Sequence, residues 1–256
     1  MTDKKIIILA GKGDSTNIIF NALNQKFVIY DVIVEEKKSQ KIFIKRRIKK
    51  LGYTTVFGQI LFALLIAKPL SIFSKNRIAT IANENSLNQT EIPATIIKNV
   101  SSVNSLETIE LLKKIKPDLI IVSGTRIISK KVIEAINCRF INLHAGITPK
   151  YRGVHGTYWA LANNDKENSG VTVHYVDEGI DTGNIIYQSQ VSVTKNDNFS
   201  TYPMLQLAAG IKILEQTITD FVNNKIEVKP TSGDSNLYYH PTIWQYLKYR
   251  IVNKVK

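Results

Sequence analysis

Three side chains of complementary chemistry stand near one another in the second half of the chain. Asn142 and His144 sit two apart in the run R-F-I-N-L-H, and Asp181 follows in D-E-G-I-D-T-G. On a β-strand, a spacing of two sends both side chains from the same face. Asn142 can donate two hydrogen bonds, and the proton affinity of His144 suits work near neutral pH. With a carboxylate to orient the imidazole, such a set can bind a developing oxyanion and move a proton. Taken by themselves, Asn142 and His144 fit equally well a strand-end cap and a buried core histidine.

The elements that must position these groups follow from the hydrophobic pattern. Ile6–Ala10 is a continuous apolar run ending at a glycine, the pattern of a central parallel strand. The turn Gly11-Lys12-Gly13-Asp14-Ser15 then feeds a helix carrying Ile18, Ile19, Ala22 and Leu23 on one side. A glycine turn at a helix N-terminus is a ready anion site. The third glycine of a dinucleotide fingerprint is replaced here by Thr16, although Asp31 or Glu35 after the next strand can imitate the ribose-binding acid. Residues 27–34, 94–100, 119–122 and 139–143 read as further strands, and 106–116 and 130–136 as helices. This alternation predicts an α/β fold with a doubly wound, mostly parallel, Rossmann-like sheet and a site at the carboxyl ends of its strands. The alternating runs 171–176 and 185–193 predict a β-hairpin excursion that carries Asp181 back to the end of the 139–143 strand. Residues 199–222 form a long amphipathic helix. The predicted organisation is a catalytic domain over 1–224, with a basic and apolar helical insertion at about 37–93, and a tail or small appendage over 225–256.

That insertion is unusual. Residues 37–50 hold eight lysines or arginines, and 56–67 is apolar and helical in period, a helix that Pro69 should stop. Residues 71–93, rich in Asn and Ser, read as an irregular connection. A basic helix followed by an apolar one fits peripheral contact with an anionic membrane through 37–69, or a helical hairpin packed on the sheet with a solvated basic face. Sparse aromatic interleaving argues against nucleic acid as a partner. The formal net charge of +13 favours small anionic ligands or an acidic surface. At 44% hydrophobic and 21% charged residues the chain can bury a full core. Its single cysteine, Cys138, excludes an intrachain disulfide and a cysteine-built zinc site, and reads as a core residue. The first residues hold too short an apolar run for a signal peptide, so the sequence reads as cytoplasmic. His155 and His240 fit no ligand pattern.

The combination I-N-L-H-A-G-I-T-P-K-Y-R-G followed by V-H-Y-V-D-E-G-I-D-T-G resembles the formyltransferases that use 10-formyltetrahydrofolate, with no metal. The resemblance is good over about 116–193 and looser over the first thirty residues. It implies that Asn142, His144 and Asp181 are the catalytic trio. It places the folate co-substrate against Gly124, Arg126, Ile127 and Ile128 and against Val176, Asp177, Glu178, Gly179 and Ile180. In the glycinamide ribonucleotide enzyme of this family the first glycine turn cradles the substrate phosphate. The corresponding residues here are Gly11, Lys12, Gly13 and Ser15, with the carboxylate of Asp14 added. Lys150 and Arg152 are placed to grip an anionic amine substrate or to shape their loop, and His174 to line the site. The resemblance also implies that Asp181 raises the pKa of His144.

Among family members, the methionyl-tRNA enzymes carry a further C-terminal barrel, for which the tail here reads as too short. The hydrolases usually carry an N-terminal regulatory domain, whereas the catalytic pattern here starts at residue 5. Small amines remain as acceptors. The insertion and the aromatic tail suggest a larger acceptor pocket than that of the ribonucleotide enzyme, favouring a nucleotide-linked amino sugar for a surface polysaccharide. Glycinamide ribonucleotide is the alternative acceptor. A non-catalytic folate-binding or membrane-associated protein is the alternative from another class.

Overall fold

The apolar run at the N-terminus becomes strand β1 (Ile6–Gly11), an interior strand of a seven-stranded sheet. The structure is a computed structural model that describes residues 4–37 and 39–256. Met1–Asp3 and Lys38, the latter part of the basic run, lie outside the described residues. After helix α1 (Asp14–Asn24), strand β2 (Ile29–Glu35) pairs parallel with β1. Four helices follow: α2 (Gln40–Leu51), α3 (Tyr53–Phe62), α4 (Lys68–Phe73) and α5 (Lys75–Glu84). Strand β3 (Ile97–Val100) then adds to the β2 edge. On the other side of β1, β4 (Leu119–Ser123) and β5 (Arg139–His144) pair parallel, linked by α7 (Lys130–Ala135) and preceded by α6 (Leu106–Ile115).

The sheet then changes direction. After a two-residue strand β6 (Arg152–Gly153) and helix α8 (Gly156–Ala162), β7 (Gly170–Tyr175) pairs antiparallel with β5, and β8 (Ile185–Gln190) pairs antiparallel with β7. The order is β3-β2-β1-β4-β5-β7-β8, the expected doubly wound α/β architecture with its hairpin excursion. Helix α9 (Tyr202–Val222) packs on β7 and β8. A short strand β9 (Leu237–Tyr238) pairs with β6, and α10 (Ile243–Val252) lies against α3.

Successive residues of a buried parallel strand serve opposite faces, and β1 shows this directly. Ile6, Ile8 and Ala10 join one core cluster with Ile19, Leu23, Leu214 and Ile218 of α1 and α9, while Ile7 and Leu9 join another with Ile109, Leu112 and Val132 of α6 and α7. Cys138 packs at the margin of this second cluster, and burial pushes its thiol up to about 12. A third cluster, largely aromatic, joins Phe62, Tyr158, Trp159, Phe199, Tyr202 and Tyr246 and ties the insertion and the tail to α8.

Two expectations for the insertion do not hold. Pro69 does not end the apolar helix: one continuous helical stretch runs from Tyr53 to Phe73. A single wide π-turn (Ala63–Ala67) separates α3 from α4, so Pro69 falls in the first turn of α4, where a missing N–H is tolerated. The residues read as an irregular connection include the helix α5, whose Ile81 and Ala82 are buried. Ala82 packs beside Ala208 and Ile211 of α9, so tertiary burial overrides the polar composition of that segment. Strand β2 also begins two residues later than its apolar pattern, leaving Phe27 and Val28 outside.

Candidate active site

Strand β5 stops at His144, and Asn142 and His144 emerge from the same face at the carboxyl end of the parallel sheet. Their cross-strand partners on β7 are His174 and Thr172. Asp181 comes from the β7–β8 connection and has a left-handed backbone with φ 53°. The three side chains line one cleft of about 770 Å³.

Asp181 is the hub of the cluster. Its Oδ2 accepts a hydrogen bond from the Gly153 backbone N–H at 2.9 Å and lies 3.4 Å from His144 Nδ1. Its Oδ1 accepts from Asn142 Nδ2 at 3.4 Å and faces His174 Nε2 at 3.7 Å. Burial alone would raise this carboxyl's pKa, but His174, His144 and the Gly153 N–H together outweigh it and hold the pKa below the usual carboxylate range.

The histidine tautomers follow from partners that can only accept. His144 Nε2 is 2.9 Å from the Tyr151 carbonyl oxygen, so Nε2 carries the proton and Nδ1 presents its lone pair beside Asp181. His174 Nδ1 donates to the Tyr175 carbonyl at 2.8 Å, leaving Nε2 to accept from Asn142 Nδ2 at 3.2 Å. His174 thereby sets which end of the Asn142 amide faces Asp181. Asp181 does raise the His144 pKa, as expected, and the Tyr151 carbonyl adds to it, but burial lowers it by more, so the net direction is downward and the imidazole is neutral at pH 7.

Two glycines bring the walls together. A Cβ on Gly11 would stand 2.4 Å from the Gly124 carbonyl oxygen, so the absence of a side chain lets the ends of β1 and β4 approach at the point where the strand order reverses. Gly153, at φ 94°, lies between Arg152 and Val154, whose N–H groups donate to the tail carbonyls of Asn236 and Tyr238. Its own N–H turns the other way, to Asp181.

Most residues that the sequence assigned to the folate line the cleft: Gly124, Arg126, Ile127, Ile128, Val176, Asp177, Gly179 and Ile180. Glu178 does not; its carboxylate pairs outward with Lys130 at 2.7 Å. The Arg126 side chain is held by Glu35 and donates to the Glu36 carbonyl at 2.9 Å. Glu35 also accepts from the Arg126 backbone N–H at 2.6 Å, and Asp31 is paired with Lys98 at 3.4 Å, so both candidate ribose-binding acids are occupied. Asp177 accepts from the Thr182 hydroxyl and the Gly179 N–H, which closes its turn.

Among the proposed substrate residues, Ser15 and His174 line the cleft, together with Asp14. Gly11 and Lys12 instead border a separate cleft of about 320 Å³, and Gly13 borders neither. Lys150 is paired with Asp165 at 2.6 Å. Arg152 Nη1 donates to the Ile180 carbonyl at 3.0 Å, bracing the loop that bears Asp181. Leu237, Tyr238 and Tyr239 of the tail line the cleft, as the pocket-building expectation for the tail required, whereas no residue of the insertion does, because its inner side is packed on the aromatic cluster; Met204 and Leu207 of α9 complete the wall with no warning in the sequence. His155 and His240 meet outside it, Nε2 to Nδ1 at 2.9 Å, and burial depresses their pKa values to about 3 and about 4.

With this geometry in view, the family model described as formyl transferase matches residues 67–218, more than half of the chain. The chain belongs to the formyl transferase family. It is 30% identical over 196 residues to the methionyl-tRNA formyltransferase of Clostridium tetani, covering 76% of this chain and 60% of that protein. It is 36% identical over 127 residues to the Thermodesulfovibrio yellowstonii protein of the same name, covering 49% and 41%. The chain thus spans between about two fifths and three fifths of these relatives' lengths. The crystal structure of a 4-N formyltransferase from Francisella tularensis shares the fold at TM-score 0.57 and 19% identity, covering 91% of this chain and 76% of that one.

Proposed function

We propose that this chain transfers a formyl group from 10-formyltetrahydrofolate to a primary amine, with Asn142, His144 and Asp181 as the catalytic groups. The observation that carries the reading is the convergence of this trio in one cleft of about 770 Å³, whose other walls are mainly apolar side chains and loop backbone with a few polar groups such as Asp14 and Gln206. That lining suits a flat, polar-edged pterin: Val122, Ile127, Ile128 and Val176 offer faces, and the 123–128 and 176–180 loops offer backbone donors and acceptors. When bound, the folate supplies the activated formyl carbon.

The protein's part is electrostatic and proton-handling. His144 is neutral, so its Nδ1 would take the proton shed by the amine nitrogen as that nitrogen bonds the formyl carbon; passed on to the folate nitrogen, the proton would let the bond between that nitrogen and the formyl carbon break and tetrahydrofolate leave. Once charged, its Nδ1–H faces Asp181 Oδ2, and the carboxylate stabilises the imidazolium that burial disfavours. Of the two Asn142 N–H groups, the one directed to Asp181 is held only at 3.4 Å. It is the group that turns to the acyl oxygen as negative charge develops there, an effect worth about 3 kcal/mol for one donor. His174 keeps the other N–H at 3.2 Å and so prevents the amide from presenting its oxygen.

For the acceptor, the lead reading is an amine on a nucleotide-linked sugar. Two features support it over glycinamide ribonucleotide. Asp14 enters the cleft at the start of α1, where a phosphate would meet like charge, while Lys12 stays outside. The tail adds Leu237, Tyr238 and Tyr239 to the wall and so builds out the acceptor end of the cleft, with the Tyr238 ring fixed by stacking on Tyr151 and Trp159. The names of the sequence relatives support a second acceptor, the amine of methionyl-tRNA.

The experiment is an acceptor panel: 10-formyltetrahydrofolate with nucleotide-linked amino sugars, glycinamide ribonucleotide, methionyl-tRNA and no amine, following tetrahydrofolate release. Release with an amino sugar alone is the expected result. Release only with methionyl-tRNA or the ribonucleotide would replace the acceptor and keep the chemistry. Release without amine would make the chain a hydrolase, and tight folate binding without release would make it a non-catalytic binder.

A further inference from the structure

The net charge of this protein is concentrated in one segment. Between residues 37 and 83 there are eleven lysines and arginines and no aspartate or glutamate; the rest of the chain is nearly balanced, with 23 basic and 21 acidic residues. This segment comprises α2 to α5; none of its residues lines the cleft of about 770 Å³, while Gln40 and Phe43 border the neighbouring one of about 320 Å³. Helix α2 has no buried residue, and its Lys41, Lys45 and Lys49 recur every four positions, so they share a face. Among the described residues none of these three is paired with a carboxylate.

The helix that follows is apolar on both sides, and only one side is covered. Val56, Gln59 and Phe62 are buried and Ile66 and Leu70 partly so, facing the aromatic cluster and the tail. The opposite side bears Tyr53, Phe57, Ile60, Leu64 and Ile72, with Phe57 59%, Leu64 57% and Ile72 54% exposed. At about 100° per residue, Ile72 would stand about 100° around the axis from Tyr53. The π-turn at Ala63–Ala67 rotates less per residue and returns Ile72 towards the same line, so the exposed apolar stripe stays in phase along all 21 residues from Tyr53 to Phe73. Helix α10 lies alongside, its Trp244 against Gly58, and adds Leu247 and Ile251, also exposed, to the margin.

We infer that this face docks on an anionic lipid bilayer, with the 53–73 helix lying in the interfacial plane and the lysines of α2 meeting lipid headgroups. By length and composition the helix could cross a membrane, but its inner side is committed to the aromatic cluster. A helix half covered by its own protein lies along a surface rather than through it. Charge complementarity selects the occupant. A second copy seated on the same patch would set two carboxylate-free basic segments against each other. A nucleic acid would neutralise the lysines and leave the aliphatic stripe in water. A bilayer containing acidic lipid satisfies both. The inference is independent of which amine the enzyme formylates.

The test is sedimentation of the full chain with phosphatidylcholine vesicles, plain or containing about 30% phosphatidylglycerol, at about 0.1 M and about 1 M salt. Binding to the anionic vesicles at low salt, and markedly less to neutral ones or at high salt, is expected. The combined variant Lys41→Gln, Lys45→Gln, Lys49→Gln should lose roughly 100-fold in partition coefficient, about fivefold per cation. The combined variant Phe57→Ser, Leu64→Ser, Ile72→Ser should lose at least as much, with an unchanged circular dichroism spectrum. Equal partition of wild type and either variant, or no partition at all, would overturn the inference. So would a wild-type dimer in light scattering that the serine variant converts to a monomer, because the stripe would then be covered by a second copy.

Discussion

The trio region and the insertion-and-tail region handle polar groups in opposite ways. Around Asp181 every polar side chain is engaged with another: its two oxygens face Gly153, His144, Asn142 and His174 within 4 Å. In the insertion the α2 lysines are solvated, and apart from a few polar ties such as Arg77 to the buried Asp197 at 2.9 Å the contacts that hold it are aromatic and apolar, such as Phe62 edge-on to Phe199 at 4.8 Å. The first region is positioned by directional bonds and tolerates no loss; the second is positioned by area and can repack. A buried polar network is worth most when complete, whereas an apolar cluster loses stability in increments.

The contrast can be broken most decisively at the trio. His144→Ala and Asp181→Ala should each lower kcat by about 10²- to 10⁴-fold in the tetrahydrofolate-release assay, in chains that melt lower but still unfold cooperatively; wild-type-like turnover in either would remove the proposed mechanism. Next in size is the response to acid. His144, His155 and His240 all have pKa values lowered by burial, so the folded state binds fewer protons than the unfolded chain below its ordinary histidine pKa. Their contribution is intact above about pH 6.5 and is lost as pH falls, by several kcal/mol by about pH 4. Urea denaturation across that range should show the loss, and replacing both His155 and His240 with Gln should flatten it; a flat wild-type profile would contradict the buried neutral pair.

Two glycine substitutions sharpen the same comparison at smaller scale. Gly11→Ala drives a methyl onto the Gly124 backbone carbonyl, which cannot move without shifting β4, and should cost about 2–3 kcal/mol in denaturation midpoint terms. Gly58→Ala meets only the Trp244 indole, 44% exposed and free to swing outward, and should cost under about 1 kcal/mol. Equal costs at the two sites would mean that the insertion is packed as rigidly as the sheet.

The sheet was legible because β1, β4 and β5 are buried on both faces and spell continuous apolar runs. Asn142, His144 and Asp181 were legible because each stands at the end of such a run or in a glycine-flanked turn. What escaped the sequence is contact between distant segments. Nothing local signals that Arg152 bonds the Ile180 carbonyl, that His155 meets a histidine 85 positions away, or that Met204 and Leu207 of α9 wall the cleft. The helix through Pro69 escaped for a different reason: a π-turn satisfies the backbone where a regular helix would break. The direction of the His144 pKa depended on the depth of burial, which no motif encodes.

One consequence concerns how the site depends on the end of the chain. The strand that bears Gly153 exists through bonds from Arg152 and Val154 to residues 236 and 238. The Gly153 N–H between those two bonds is the one that fixes Asp181. The seven-stranded sheet holds Asn142 and His144 without the tail, whereas the carboxylate owes its anchor to the docking of the tail. Undocking residues 236–238 would therefore unseat Asp181 and leave the sheet standing, so that chemical competence is separable from the fold that carries it.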